Sequence, residues 1–283
     1  MIEAWRGEWR VGVSAQAVAL LRTEGWPARR TRLVAAEALR ADEAPAAEAL
    51  SAVLARLWSA CEGGPRAARL LLAEPWTRLW MVVPPANARR IADVEAAAAA
   101  RFEALYGEPA AGWQIAADGH ASRPFLAAAL QRPLFAALQQ VAADSGRVWV
   151  EAVPAPVAAW NAGRRQLRDG AWLGVFHDAV LTLLAVQDGH LRAVRRVGWA
   201  QEPTANLAAV LEREALRLGL QAPTELQGCG ELPPGLDPQA WAATRLDPGF
   251  ELDEADATGV PLSPAARSAV ALASIGLRAG GDR

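Results

Sequence analysis

Hydrophobic positions change period several times along the chain, and each change marks an element. Residues 9–13 alternate as a strand does, Ser14 to Gln16 supply a turn, and residues 17–22 alternate again. Glu24-Gly25 is a turn dipeptide ahead of a third strand at 29–35. At Leu50 the period lengthens. Leu50, Val53, Leu54, Leu57 and Trp58 recur as on one helix face, which Glu62-Gly63-Gly64-Pro65 stops. Residues 69–73 and 77–83 read as two strands, split by Glu74-Pro75-Trp76 and closed by Pro84-Pro85. Ile91, Val94, Ala98, Phe102 and Leu105 mark a helix ending at Gly107. Residues 113–117 and 124–130 read as a hairpin around Asp118-Gly119. Pro133 suits the first turn of a helix lined by Leu134, Leu138 and Val141, and residues 147–153 are a strand.

From Trp172 the opening order returns: strand 172–176, turn His177-Asp178, strand 179–186, turn Asp188-Gly189, strand 190–197. Leu207, Val210, Leu211, Ala215 and Leu218 then line a helix. Ser263 as cap, with Pro264 behind it, opens a last helix through Leu277. VGVSAQAV at 11–18 and LGVFHDAV at 173–180 share one small pattern, 162 residues apart from glycine to glycine. The same element order around both copies predicts an α/β architecture of two related halves.

Composition narrows the chemistry. With 52% hydrophobic and 21% charged residues the chain can bury a core, and a net charge of −2 gives no footprint for nucleic acid. All 29 basic residues are arginine, which excludes a phosphate-loop lysine, a Schiff-base lysine and a Ser-Lys dyad. Cys61 and Cys229 have no disulfide or zinc spacing, and His120, His177 and His190 have no ligand spacing, so no metal is expected. No apolar run is long enough for a membrane span, and MIEAWRGEWR lacks the apolar core of a signal peptide, so a cytosolic chain is expected. Gly12-Val13-Ser14-Ala15-Gln16 approaches a nucleophile elbow but ends in Gln and precedes a strand. Asp253, Glu254 and Asp256 read as a solvated loop. Of 12 tryptophans, Trp58 and Trp80 fall on core faces; Trp5, Trp9 and Trp26 fall near an edge or turn, where core burial and an interface are both open.

The order of segments resembles a known group. ARLLLAEPWTRLWMVVPP (68–85), VEAAAAARFEALYGE (94–108), RPLFAALQQVAADSGRVWVEAVPAPVAAWNA (132–162), LQGCGELPPGL (226–236) and SAVALASIGLRAG (268–280) follow one another as in the actin-like platform proteins of type IV pili and type II secretion. These are PilM and the cytoplasmic part of GspL, within the actin-like ATPase superfamily. The resemblance implies an α/β, actin-like (ribonuclease H-like) duplicated fold with an inserted small subdomain. Residues 1–85 would form the first half, 86–131 the insertion, 132–168 the completion of the first half and 169–283 the second half. It also implies a scaffold, cytoplasmic and peripheral to the inner membrane. The partner would be the N-terminal cytoplasmic peptide of a single-pass, PilN-like membrane protein, held in a groove between the first half and the insertion; a homodimer is left open.

In active members of that superfamily each half opens with an Asp-x-Gly phosphate loop. The Asp positions metal or water, and the Gly lets backbone N–H groups approach phosphate. Laid onto this chain, the Asp positions fall on Gly12 and Gly174, and the Gly positions on Ser14 and Phe176. Both acids are gone. His177 and Asp178 are either substitutes or polar turn residues, and Gly228-Cys229-Gly230 is either the adenosine-side turn or a plain one. The resemblance thus implies a vestigial nucleotide cleft of Gly12, Ser14, Gln16, Gly174, His177, Asp178, Gly228 and Gly230. No cofactor is expected, although ATP bound without turnover stays open. The competing reading is an active ATPase or kinase with His177 and Asp178 as replacements.

Overall fold

Two five-stranded sheets repeat one plan. In the first, β1 (Glu8–Val13), β2 (Ala17–Glu24) and β3 (Arg30–Ala38) form an antiparallel meander. β4 (Ala67–Leu72) and β8 (Val148–Pro154) extend it in parallel, giving the order β3-β2-β1-β4-β8. In the second, β9 (Ala171–His177), β10 (Val180–Gln187) and β11 (His190–Gly198) form the meander. β12 (Glu225–Gly230) and β13 (Ala243–Arg245) run parallel beside it, in the order β11-β10-β9-β12-β13. Strand order and orientation are the same, as the repeated sequence pattern predicts. The computed structural model describes residues 7–24, 30–39, 46–61, 63–86, 88–120, 122–178, 180–199, 207–230, 243–245 and 262–277; Trp5, Trp26, Asp253, Glu254 and Asp256 lie outside them.

The helices form three layers around the two sheets. α1 (Ala46–Ser59) and α3 (Arg132–Asp144) bury Leu50, Leu54, Trp58 and Leu138 on the outer face of the first sheet, against Val11, Val13 and Leu70. α5 (Leu207–Leu218) covers the outer face of the second, packing on Trp172, Phe176 and Leu183. Between the sheets lie α4 (Ala155–Gly163) and α6 (Pro264–Ser274). One core joins Leu71 and Ala73 of the first half to Leu173, Val175 and Cys229 of the second. α6 starts as its sequence dictates. Ser263 Oγ accepts the Ala266 N–H at 3.2 Å and Pro264 needs no donor partner. It ends at Ser274, one turn short of the Leu277 expected from periodicity.

A third sheet carries the insertion. β5 (Thr77–Val82), β6 (Trp113–Ala117) and β7 (Phe125–Gln131) are antiparallel in the order β5-β7-β6. α2 (Ile91–Tyr106) lays Val94, Ala98 and Phe102 on one face of it, against Trp80, Phe125 and Ala127. Residues 77–82, assigned from sequence to the first half, therefore pair within the inserted sheet. The chain crosses over at the 3-10 turn Glu74–Trp76, ahead of the expected boundary at 85. Trp9 is 1% exposed, inside the first core, which answers the question its edge position raised.

Candidate functional site

The hairpins β1–β2 and β9–β10 have the same ladder. Gly12 faces Ala19 and Val175 faces Thr182; Val13 faces Val18 and Phe176 faces Leu181. The parallel neighbours agree, since Gly12 lies beside Leu71 and Val175 beside Cys229. The displacement that superposes the two is thus 163 residues, one more than the glycine-to-glycine spacing. A one-residue slip moves every side chain to the other face of a strand. Gly12 faces the middle layer, where a Cβ would stand 2.0 Å from the Ala269 carbonyl oxygen of α6. Gly174 faces outward, where a Cβ would meet only the Leu226 and Leu181 side chains at 3.1–3.2 Å. The two glycines that look alike in sequence do different work. Phe176 is likewise not a loop residue: it matches Val13, and packs edge-on against Trp199 in the outer core.

The matched tip residues are Ser14 with His177 and Ala15 with Asp178. Ser14 is buried and closes its own turn, its Oγ accepting the N–H groups of Ala17 at 3.0 Å and Gln16 at 3.2 Å. Its carbonyl accepts the Trp76 indole N–H at 2.8 Å, and Gln16 is exposed. His177 ends β9 at 2% exposure, and neither ring nitrogen has a hydrogen-bond partner among the described residues; Nδ1 is 3.9 Å from Asp178 Oδ2. Asp178 forms the turn with φ of 46°, a left-handed conformation Asp tolerates.

The tips touch. The Ala15 backbone N–H donates to Asp178 Oδ2 at 2.7 Å, and the Asp178 N–H donates to Ser268 Oγ of α6 at 3.1 Å. Burial by itself pushes the Asp178 carboxyl up. The neighbouring His177 ring, the Ala15 N–H and the Ser268 hydroxyl outweigh it, and hold the group below its ordinary value. A carboxylate of the second half thus occupies an amide at the turn of the first. Below the tips, Glu74 accepts the Thr182 hydroxyl at 3.0 Å and pairs with Arg196 at 3.0 Å, so the halves are joined again.

Gly228-Cys229-Gly230 is not a turn. All three residues lie in β12, buried, with Gly228 beside Gly174 and Gly230 beside Phe176. A Cβ on Gly230 would stand 2.1 Å from the Phe176 carbonyl oxygen, and its φ of 94° is a left-handed conformation, so the last residue of β12 needs glycine on both counts. Of the eight residues proposed from sequence, the structure brings Ser14, His177 and Asp178 to one junction. Gln16 flanks it, Gly12 lies beneath it under α6, and Gly174, Gly228 and Gly230 belong to the second sheet.

A second feature was hidden in the sequence. The inserted sheet has two apolar faces, and α2 covers only one. The other, with Met81, Ala116, Leu126 and Ala128, walls a groove whose far side is Val153, Val157 and Trp160 of β8 and α4. The cavity is about 840 Å³, and the β10–β11 turn closes one end with His190. The signal was present in FLAAALQ (125–131), apolar at odd and even positions alike, as in strands buried on both faces.

Several solved structures share this fold. The PilM–PilN type IV pilus biogenesis complex aligns over 96% of this chain and 98% of that chain, with TM-score 0.62 and 15% identity. The cytoplasmic domain of EpsL, an inner-membrane component of the type II secretion system of Vibrio cholerae, aligns over 94% of each chain, with TM-score 0.55 and 13% identity. A Bacteroides thetaiotaomicron protein with an actin-like ATPase fold and unknown function aligns over 87% of this chain and 93% of that chain, with TM-score 0.60 and 8% identity. No protein-family model and no curated protein sequence matches the chain. The fold is therefore actin-like, as the segment order implied. Among the described residues, no helix is long and apolar enough to cross a membrane.

Proposed function

We propose that this chain is a platform subunit of a type IV pilus or type II secretion-like machine that has given up ATP hydrolysis. It works at the cytoplasmic side of an inner membrane, held there by a protein partner. One observation carries the reading: the Ala15 N–H, a phosphate-loop amide in the resemblance, is taken by Asp178 of the opposite half. An entering phosphate would have to displace an ionised carboxylate that is already hydrogen-bonded. It would meet no acid at Gly12 or Val175 to place a metal or water. The open face of the inserted sheet supports the other part of the reading, a groove for an extended segment of a PilN-like partner.

The test is a titration of the purified chain with Mg-ATP, read by thermal melting and by phosphate release. The expected result is an unchanged Tm up to millimolar nucleotide and no turnover. A saturable rise in Tm follows from mass action if the cleft binds. With phosphate release, that rise would overturn the proposal in favour of an active ATPase.

A further inference from the structure

We infer that the groove of the inserted sheet selects an acidic segment: an extended peptide with apolar side chains for the floor and at least one Asp or Glu for its arginine rim. The inference rests on the docking reading above and adds the partner's charge.

The floor sets the first requirement. Met81, Leu126 and Ala128 stand on the sheet face that α2 leaves open, opposite Val153, Val157 and Trp160. Apolar surface on this scale is stabilised by being covered, roughly 25 cal/mol for each Å² removed from water. β7 spans seven residues along this wall, so an extended occupant of about six residues matches it at roughly 3.3 Å each.

The rim sets the second. Arg123, Arg164, Arg165 and Arg192 border the groove, from three parts of the chain: the β6–β7 loop, the end of α4 and the start of β11. Two acids stand nearby. Asp188 is spent on Arg192 at 3.2 Å, and Asp118 lies on the β6 side of the lining. Arg123 reaches only the His190 ring, at 3.5 Å. No described residue gives Arg123, Arg164 or Arg165 a carboxylate, and these three stand together at one groove. The rim therefore carries uncompensated positive charge on a chain whose net charge is −2. Guanidinium groups bordering an apolar wall complement a carboxylate, which they bind with paired N–H donors.

The test selects a phage library of random dodecapeptides on the intact protein and on two variants. Ala128→Trp fills the floor; Arg164→Glu with Arg165→Glu inverts the rim. Circular dichroism and melting confirm that each variant is folded, and Leu126→Arg replaces Ala128→Trp if that one is not. The expected peptides are enriched in Asp and Glu between apolar residues and are lost on the floor variant. A labelled, selected peptide should bind the rim variant at least about tenfold more weakly in fluorescence polarisation, and weaken with salt. Peptides lost on the floor variant but neutral in charge, and indifferent to the rim variant, would leave the docking reading standing and overturn the acidic partner. Absence of any peptide that depends on the floor would overturn both.

Discussion

The two hairpin tips have the same ladder and opposite chemistry. The first presents a bare backbone N–H at Ala15; the second presents a carboxylate at the matching Asp178, and the two meet. A duplicated fold places equivalent positions of its halves face to face. Here one half supplies an anion to the other. The contact needs Asp in only one of the two tips, so the tips can differ while the sheets around them share one order.

The glycines give the sharpest way to break the equivalence that sequence suggests. Gly12→Ala drives a Cβ into the backbone of α6 and should cost more than about 3 kcal/mol, a loss of Tm read by thermal melting. Gly174→Ala presses only on leucine side-chain ends and should cost about 1 kcal/mol or less. Equal losses at both sites would contradict the 163-residue register. Gly12→Asp, which places a carboxylate at that position, should destabilise at least as much as Gly12→Ala and produce no phosphate release.

Breaking the contact between the tips should have the next largest effect. Asp178→Ala leaves the Ala15 N–H without its acceptor and should cost about 1–3 kcal/mol in denaturant melts. Its pH dependence follows from the lowered carboxyl. A group held below its ordinary value stabilises the fold above the usual carboxylate range. That contribution fades as pH falls through the lowered folded value. The stability gap between the parent and Asp178→Ala should therefore be full at neutral pH and shrink below about pH 4. A gap that grew in acid would refute the assignment. The smallest effect belongs to Ser14→Ala, which removes the acceptor for Gln16 and Ala17 within one tip. It should cost about 0.5–1.5 kcal/mol without changing the acid dependence.

Element order was legible in the sequence because turn and cap residues punctuate it: Ser14 to Gln16 and Asp188-Gly189 between strands, and Ser263 at the start of α6. Strand phase was not. Every residue of AWLGVFH in β9 is buried, and so are five of six in β1, so apolar residues on both faces left no parity to read. The glycine match then looked like a register and was one residue off. The reading of Gly228-Cys229-Gly230 as a turn failed for a related reason. Glycine marks turns, left-handed backbone and close strand packing alike, and Gly230 combines the last two at the end of β12. The tip contact was invisible because Ala15 takes part through its backbone, and composition says nothing of that. The groove was half legible, in the doubly apolar β7, while the rim arginines come together only through the fold.

Thr77 at the start of β5 pairs with Leu130 near the end of β7. Paired residues on antiparallel strands stand about 5 Å apart, so the insertion leaves the body and rejoins it at nearly one point. In assembly terms it is a cassette on a single stem. A short loop could span that gap in the backbone, while Leu130 stays with Leu134 and Leu138 in the core of the first half. The insertion can then vary in length and sequence while a single covalent junction with the frame stays fixed.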